Sequence, residues 1–562
     1  MTPKELINAF EVLADAPGGI DSLRELVLQL AMQGKLVAQN PLDQPIQKAL
    51  EAVRADRGPV VNARVNGRSE VPRVPEEWEL PFELPAGWSW ARLDDTGEYV
   101  NGLAFKQKDW HESGLPIIRI QNLTDFAKPF NYARGDFPED RLVKDGDILV
   151  SWSATLEAFI WNRGDAVLNQ HIFRVVPENQ VVTDQFLFHL CRRTIREMAE
   201  SEKSHGLVMK HINRGPFLSH VIGVPPLAEQ QRIVERLDEL IALLDRLEAA
   251  QGSREATRQA LRDAALSTLR DAVDPETVQA AWTRVASQME DLFTDPTDVP
   301  VLRQTILQLA VRGRLVPQQP NDEPARGLLA RAGAEKARLQ QENLIKNQKP
   351  LATVEPDEVP FEVPDGWQWA RIDDLFFVSG GLQKSGKRRP DRNAFPYLRV
   401  ANVQRGRLDL TEIKEMELFD GELERLRLES GDLLVVEGNG SADEIGRCAR
   451  WEGEIEDCVH QNHLIRCRPL EQATEHFVLR FLNSPSGIET MKSLAVTTSG
   501  LYNLSVGKIR KIVVPVAPLA EQRRIVDRVD ELIGLCDELE ARLACARDTR
   551  ASFANSAVAS FA

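Results

Sequence analysis

The sequence predicts a mixed α/β protein built as a tandem repeat, with two globular domains joined by long helices. Three observations support this prediction: one helical motif occurs twice, the segments around it recur in the same order, and β-rich stretches lie between them. The chain has 562 residues, too many for a single hydrophobic core. We therefore expect several domains arranged by an internal repeat.

The repeated motif is Pro-Leu-Ala-Glu-Gln, at 226–230 and again at 518–522. After each copy the apolar residues advance by 4, 3, 4 and 3 positions, which is the a/d spacing of a coiled coil. A seam this narrow needs a partner helix, so the two copies are predicted to pair with pseudo-two-fold symmetry. The predicted interface residues are Ile233, Leu237, Leu240, Leu244, Leu247, Ile525, Val529, Leu532, Cys536 and Leu539.

Two further segments recur at a constant offset of 279 residues. Residues 23–50 return as 302–329, and residues 81–95 return as 360–374. The chain is therefore a tandem duplication. The central helical region then has its counterpart in segments near the two chain ends, and a two-fold arrangement predicts that these pack together.

Individual elements follow from local patterns. Helical spacing predicts helices over 23–33, 184–201 and 471–494. The first motif helix, if unbroken from Ala228 to Leu269, would be about 60 Å long, and Gly252 is a candidate break. The predicted segments are 1–78, an N-terminal helical segment with a linker; 79–224, the first globular domain; 225–357, a central helical region with a linker; 358–516, the second globular domain; and 517–562, a C-terminal helix.

The bulk composition narrows the class of protein. The formal net charge is −16, which argues against tight binding of nucleic acid by this chain alone. The sequence contains no run of 18 apolar residues, so it predicts no membrane span, and the N-terminus does not resemble a signal peptide. Six scattered cysteines fit reduced thiols, so we expect a cytoplasmic protein.

Motifs for chemistry are incomplete. Residues 381–388 approach a phosphate-binding P-loop, but Arg388 stands where Ser or Thr would hold magnesium. The Gly-rich turn after Val436 lacks the third glycine of a dinucleotide site. The cluster from Cys448 to Cys467 lacks zinc-ligand spacing, and His171 and His463 recur at equivalent positions as expected of structural histidines. We therefore expect no catalytic residues, metal or cofactor in this chain.

The two globular domains match at framework positions, but the residues between those positions differ. This is expected of a protein whose two domains each recognise a different sequence. Arg can read guanine, and Asn or Gln can read adenine, in the DNA major groove. The candidate DNA-binding residues are Lys106, Lys108, Ser204, His205, Lys210, His211, Asn213, Lys384, Lys387, Arg388, Arg389, Arg392, Ser499, Tyr502, Asn503 and Lys508.

Three paired features carry a resemblance to a known family: the motif Pro-x-Gly-Trp-x-Trp at the start of each globular domain (preceded by Leu in the first copy), the Pro-Leu-Ala-Glu-Gln helices and the Leu-Gln-Leu-Ala segments. Through these features the sequence resembles the specificity subunit of type I restriction–modification enzymes. The resemblance implies two target-recognition domains on an antiparallel coiled-coil pair, each reading half of a bipartite double-stranded DNA site. It also implies two methylation subunits on the helices and two restriction subunits beyond them. S-adenosylmethionine, ATP and magnesium would then belong to those partners.

Two other classes of function stay open at this point. A two-headed protein–protein scaffold would also explain the acidic charge and the coiled-coil pattern. An enzyme with an unfamiliar site would find candidate acids in the pairs Asp94–Asp95 and Asp373–Asp374, although their position just after a Trp-containing strand favours turn or capping roles.

Overall fold

The computed structural model describes residues 10, 12–65, 68–203, 212–438, 444–495 and 502–561. These fold as two compact units. Unit 1 comprises Met1–Ser253 with Asp548–Ala562, and unit 2 comprises Arg254–Arg547. Each unit therefore contains one globular domain and parts of both long helices.

Unit 1 begins with helical elements and continues into a β-rich domain. Its helices are α1 (Gly19–Met32), α2 (Gln47–Ala55), α3 (Ile120–Thr124), α4 (Asp184–Lys203), α5 (Arg214–Leu218) and the first part of α6 (Leu227–Asp271). Its strands are β1 (Val60–Val65), β2 (Arg68–Val71), β3 (Ser89–Arg92), β4 (Gly97–Asn101), β5 (Leu115–Ile118), β6 (Asn131–Ala133), β7 (Leu142–Val143), β8 (Ile148–Ser151), β9 (Glu157–Ile160), β10 (Ala166–Leu168), β11 (Ile172–Pro177) and β12 (Val221–Val224).

Unit 2 contains the rest of α6 and a second domain of the same kind. Its helices are α7 (Pro275–Ser287), α8 (Met289–Leu292), α9 (Val299–Val311), α10 (Ala325–Gln341), α11 (Ile372–Leu375), α12 (Glu422–Leu426), α13 (Thr474–Leu482), α14 (Pro485–Ala495), α15 (Val506–Arg510) and most of α16 (Leu519–Phe561). Its strands are β13 (Gln368–Arg371), β14 (Phe376–Gly380), β15 (Ala394–Leu398), β16 (Lys414–Glu417), β17 (Leu433–Val436), β18 (Cys448–Arg450), β19 (Val459–His460), β20 (Leu464–Pro469) and β21 (Val513–Val516).

Both domains use the same sheet framework. A four-stranded antiparallel sheet has the order β4-β11-β8-β9 in unit 1 and β14-β20-β17-β18 in unit 2. A second sheet contains a parallel pair, β5 with β10 in unit 1 and β15 with β19 in unit 2. A two-stranded antiparallel sheet, β3 with β12 and β13 with β21, connects each domain entry to the strand before its long helix. The predicted mixed α/β repeat is confirmed.

The central strands are buried on both faces. All four residues of β8 and of β17 are buried, and both strands are runs of apolar residues with one terminal exception. Such runs fit strands covered on both sides rather than strands with one solvated face. The four-stranded sheet is therefore the rigid centre of each domain.

Glycine ends the short helix at the start of each half. Gly34 and Gly313 have φ angles of +69° and +68°, a conformation that glycine adopts without steric cost. Lys35 N donates to Leu30 O at 2.9 Å, and Gly34 N donates to Ala31 O, as in a Schellman motif. A Cβ at Gly34 would lie 2.5 Å from Pro85 Cγ, so the helix end also packs tightly against the domain entry.

The two long helices run without interruption. α6 has 45 residues and α16 has 43. Gly252 lies inside α6 and does not break it, so the expected weak point is not a helix end. A glycine costs an exposed helix about 1 kcal/mol relative to alanine, which the rest of a long helix can tolerate. Among the described helices, none is long and apolar enough to cross a membrane.

Nine of the ten seam residues are buried and Leu247 is half-buried, but their partners differ from the prediction. The seam of α6 packs on α1 and on Ala554, Ala557 and Val558 of α16 within unit 1. The seam of α16 packs on α9 and on Leu266 and Leu269 of α6 within unit 2. Each motif copy therefore packs on the far end of the other long helix and not on the other copy. This exchange of ends is expected of antiparallel helices, since the start of one faces the end of the other.

The segments near the two chain ends do pack together as predicted. Ala554 joins Leu13, Ala14 and Leu23 in the unit 1 core, and the corresponding part of unit 2 brings Leu266 together with Phe293 and Leu302.

Two local predictions need correction. The predicted helix 471–494 is two helices, α13 and α14, which Asn483 and Ser484 separate. Pro485 explains the break because proline disfavours helical geometry in the residue before it. The linker predicted within segment 1–78, over residues 52–78, contains the end of α2 and the antiparallel pair β1–β2.

Candidate nucleic-acid interface

A tryptophan–glutamate hydrogen bond connects each globular domain to its long helix. Trp88 Nε1 donates to Glu229 Oε1 at 3.0 Å, and Trp367 Nε1 donates to Glu521 Oε2 at 3.1 Å. Both glutamates belong to the repeated Leu-Ala-Glu-Gln sequence and are 1% exposed. We call these two pairs the Trp–Glu latches. They explain why the tryptophan and the glutamate recur in both halves.

The glutamine next to each latch glutamate fixes the same junction. Gln230 Nε2 donates to the carbonyls of Val181 and Pro225, and Gln230 Oε1 accepts from Thr183 N. Gln522 likewise donates to Ala517 O and accepts from Thr474 Oγ1. A buried amide with partners on both sides holds its neighbours in one geometry. The glutamine of each long helix thus fixes the position of the domain at its junction with the helix.

Burial shifts the latch carboxylates toward their neutral form. Desolvation raises the pKa of Glu229 and of Glu521 above the usual value, although the hydrogen bonds from tryptophan and glutamine oppose it. The raised pKa values reflect a structural role, because the groups that hydrogen-bond to each carboxylate are framework side chains, a tryptophan and a glutamine.

The acidic pairs considered for catalysis are engaged in structural contacts. Asp95 accepts from Arg92 N, Arg54 and Arg73. Asp373 pairs with Lys336 at 2.9 Å and with Arg510 at 2.6 Å. Each of the two carboxylates is almost fully buried. Capping and ion pairing therefore account for these aspartates without a reaction.

In unit 1 several predicted contact regions meet at one end of the four-stranded sheet. Asn101 at the end of β4 pairs with Phe173, and Ser151 at the end of β8 pairs with Ile172 at the start of β11. The loop carrying Lys106 and Lys108 continues from this end of β4. Ile212, the first described residue after 203, donates its N–H to Trp152 O at 2.8 Å. We call this end of the sheet, in either unit, the loop end.

Unit 2 repeats the arrangement. Gly380 at the end of β14 pairs with Ile465, and Val436 at the end of β17 pairs with Leu464. The basic loop 381–392 continues from β14, and Leu504 N donates to Glu437 O at 2.6 Å. The sheet register therefore brings the basic loop and the segment around Tyr502 to one place.

Most of the described candidate residues are accessible at the loop ends. Asn213 is exposed immediately before α5, and Asn503 is exposed in an isolated bridge with Gly438. Tyr502 is half-buried against the unit 2 core. Six candidates have exposed basic side chains: Lys106, Lys108, Lys384, Lys387, Arg389 and Arg392. Ser204, His205, Lys210, His211 and Ser499 lie outside the described residues.

Two predicted DNA-binding residues, Arg388 and Lys508, form hydrogen bonds within their own domain. Arg388 makes two 2.8 Å hydrogen bonds to Glu422 and stacks over Phe419, 4.9 Å from the ring centre. The bonds from Arg388 lower the pKa of Glu422 to about 2, so the pair stays charged. Lys508 Nζ donates to Asn503 O at 3.0 Å. Arg388 is thus a structural residue, and Lys508 already holds the segment around Asn503.

The cysteines and His460 of the cluster from Cys448 to Cys467 are core residues. Cys448, Cys458 and Cys467 are buried, and burial raises the pKa of Cys458 to about 12. His460 is fully buried, and its Nδ1 lies 2.9 Å from Leu464 O. Within the described ranges, no three His, Cys, Asp or Glu side chains are grouped to hold a metal ion.

Sequence reasoning missed one position in each domain, the residue that follows the buried central strand. This residue is Trp152 in unit 1 and Glu437 in unit 2. Trp152 lies against His171, with ring centres 5.2 Å apart, and Glu437 Oε2 lies 3.1 Å from His463 Nδ1. The sequence Gly-Asp-Ile-Leu-Val at 146–150 recurs as Gly-Asp-Leu-Leu-Val at 431–435, and aligning these two segments reveals the position two residues further on, where the side chain changes.

The chain was compared with known proteins. The model of the type I restriction modification DNA specificity domain matches it twice, at residues 85–255 and 364–544. The specificity subunit of the type I restriction enzyme EcoEI from Escherichia coli is 30% identical over 96% of this chain and 93% of its own length. That of EcoAI, also from Escherichia coli, is 29% identical over the same shares.

A solved structure shows a similar fold. It is described as the structural basis underlying complex assembly and conformational transition of the type I R-M system. The matching chain has a TM-score of 0.51 and 14% identity, and the match covers 86% of this chain and 99% of that chain.

Two family matches on two equivalent domains define the class: the chain belongs to the type I restriction modification DNA specificity family. It is the specificity subunit of a type I restriction–modification system and carries two target-recognition domains. Relatives that match nearly their full length favour this function over a protein–protein scaffold.

Proposed function

We propose that each target-recognition domain reads one half of a bipartite, asymmetric DNA site. The long helices would set the distance between the halves and bind two methylation subunits, with two restriction subunits beyond them. One observation carries the proposal: the two loop ends have the same backbone framework and different side chains. Identical frames with different contact residues suit two unlike half-sites.

The exposed basic residues at the loop ends support contact with DNA phosphates and bases. Phosphate contacts position a protein on DNA, whereas contacts to base edges give specificity. The overall negative charge is compatible with this role if the partner subunits also hold the DNA. Binding by the complex should therefore be stronger than binding by this chain alone.

The chain itself would be a non-catalytic component. Their contacts with framework residues would give Asp95 and Asp373 a structural role and not a catalytic one. S-adenosylmethionine, ATP and magnesium would bind to the methylation and restriction subunits. We place the assembled system in the cytoplasm, where free thiols such as those of all six cysteines persist and chromosomal DNA is accessible.

The proposal is tested by modified-base sequencing of DNA from cells expressing this chain with its methylation subunit. We expect a modified motif of two short specific parts around a fixed gap, absent from cells without the chain. Replacing residues 96–215 with those of a relative should change one part only, and replacing 375–505 should change the other. No chain-dependent modification beside a methylation subunit proven active would contradict the proposal and favour a scaffold.

A further inference from the structure

The positions of Trp152 and Glu437 are equivalent by hydrogen bonding, not only by sequence. Trp152 N donates to His171 O at 3.3 Å, and Glu437 N donates to His463 O at 2.9 Å. On the other side, Trp152 O accepts from Ile212 N, and Glu437 O accepts from Leu504 N. The backbone is therefore held from both sides in both domains, while the side chain differs completely. This is what a specificity-determining position requires.

The side chains present different chemistry. Trp152 packs into the unit 1 core and lies 5.9 Å from the ring centre of Phe173. Glu437 instead places a carboxylate beside the imidazole of His463, with side chains 18% and 55% exposed respectively. Oε1 of Glu437 and Nε2 of His463 have no hydrogen-bond partner among the residues that the structure describes. The pair thus offers an acceptor and an imidazole nitrogen side by side.

The surroundings explain what this carboxylate would bind. It lies at the loop end of unit 2, from which the basic loop 381–392 also extends. A carboxylate is repelled by DNA phosphates, so at a DNA-facing position it needs a hydrogen-bond donor. In the major groove the donors are the exocyclic amino groups, cytosine N4 and adenine N6, and carboxylates accept from cytosine N4.

We infer that Glu437 and His463 form a base-reading pair in the second target-recognition domain, with Glu437 accepting a hydrogen bond from an exocyclic amino group of a base. The inference rests on the proposed function. His463 orients the carboxylate through Nδ1 and keeps Nε2 for the same or the neighbouring base. Trp152 and His171 occupy the equivalent place in the first domain, where the tryptophan offers no carboxylate and selects a different base.

The test uses the complex of this chain with its methylation subunits. Its relative affinity is measured for duplexes in which every position of the site carries each of the four base pairs. Glu437→Gln should reduce discrimination about 5- to 150-fold at one position of one half-site, the range of a single good base contact. The base that the unaltered complex prefers at that position, cytosine or adenine, identifies the amino group that Glu437 binds. His463→Asn should relax the same position.

Glu429→Gln is the matched control, because it removes the same charge from an exposed side chain before the opposite end of β17. It should leave every preference unchanged. The inference is overturned if Glu437→Gln retains all preferences, weakens all positions of both half-sites equally, abolishes binding to every sequence, or affects a different position from His463→Asn. If the unaltered complex shows no bipartite preference, the proposed function itself fails, whatever the variants do.

Discussion

At the scale of single residues, the repeat preserves the contacts that join domain to helix. The Trp–Glu latches have equivalent partners in both units, and each neighbouring glutamine donates to the carbonyl five residues before it. The sequence showed that these residues recur but not that they bond to each other, since 141 positions separate Trp88 from Glu229. A recurring residue type reveals a framework role, whereas its partner depends on the folded geometry.

The first prediction concerns the latch. Trp88→Phe should destabilise unit 1 by about 1–3 kcal/mol, because the buried Glu229 loses its indole donor. Adding Glu229→Gln should recover part of this loss, since a neutral amide is less costly to bury. Urea unfolding followed by circular dichroism measures both effects. The control is Trp90→Phe, which alters a half-buried tryptophan in edge-to-face contact with Phe82. A double variant less stable than Trp88→Phe would contradict the argument.

The second prediction concerns pH. Burial lowers the pKa of His460 from 6.5 to about 4, so the folded state favours the neutral ring. This contribution to stability is fully present above pH 6.5 and is lost as pH falls toward 4. Between pH 7 and 5 the loss should be about 2 kcal/mol.

The measurement is urea unfolding of the unaltered chain and of His460→Gln at both pH values. The variant should lose less stability on acidification. His476→Gln, which changes an exposed histidine, serves as the control and should behave like the unaltered chain. Equal losses for the unaltered chain and His460→Gln would show that His460 does not cause the pH dependence.

At the scale of elements, the a/d pattern correctly predicted which faces of α6 and α16 are buried. It did not identify their partners, because a heptad pattern describes one helix face and not the surface opposite. The loop ends were predictable only in part. Basic residues in variable loops indicated a contact region, but the salt bridge of Arg388 to Glu422 spans 34 positions and has no local signature.

The third prediction concerns an ion cluster that fastens α6 to the start of α9. Asp298 is 6% exposed, accepts from Arg258 at 2.6 Å and also pairs with Arg262. Asp298→Ala should cost about 3–5 kcal/mol, because both guanidinium groups lose a buried partner. Asp263→Ala removes a largely exposed partner of Arg262 and should cost about 0–1 kcal/mol.

Thermal and urea unfolding of the two variants would check this difference. The position 279 residues before Asp298 is Gly19, so unit 1 has no equivalent cluster at this site. The loss should therefore appear in the unfolding of unit 2. Equal effects of the two substitutions would show that burial does not decide the strength of these ion pairs.

At the scale of the whole molecule, the duplication made the fold class predictable before any element was assigned. The fourth prediction tests the helices as a spacer. Inserting seven residues into both α6 and α16, next to Ser253 and Arg547, keeps the a/d phase and lengthens each helix by about 10 Å. That corresponds to about three base pairs.

Modified-base sequencing should then show a gap longer by about three base pairs with both specific parts unchanged, or no modification if the DNA cannot span the longer complex. The control is the same insertion after Lys346, between α10 and the second domain, which leaves both long helices intact. An unchanged gap after the double insertion would contradict the spacing role of the helices.

The exchange of helix ends also has a consequence for how the protein is made. Unit 1 is completed by residues 548–561, which the ribosome adds only after all of unit 2. At about 5–20 residues per second, the intervening residues 254–547 take about 15–60 s to synthesise. During that interval the apolar surface awaiting Ala554 stays uncovered on a domain that has otherwise emerged. The nascent chain is therefore most exposed to chaperones and to aggregation in its first half, until the last turns of α16 arrive.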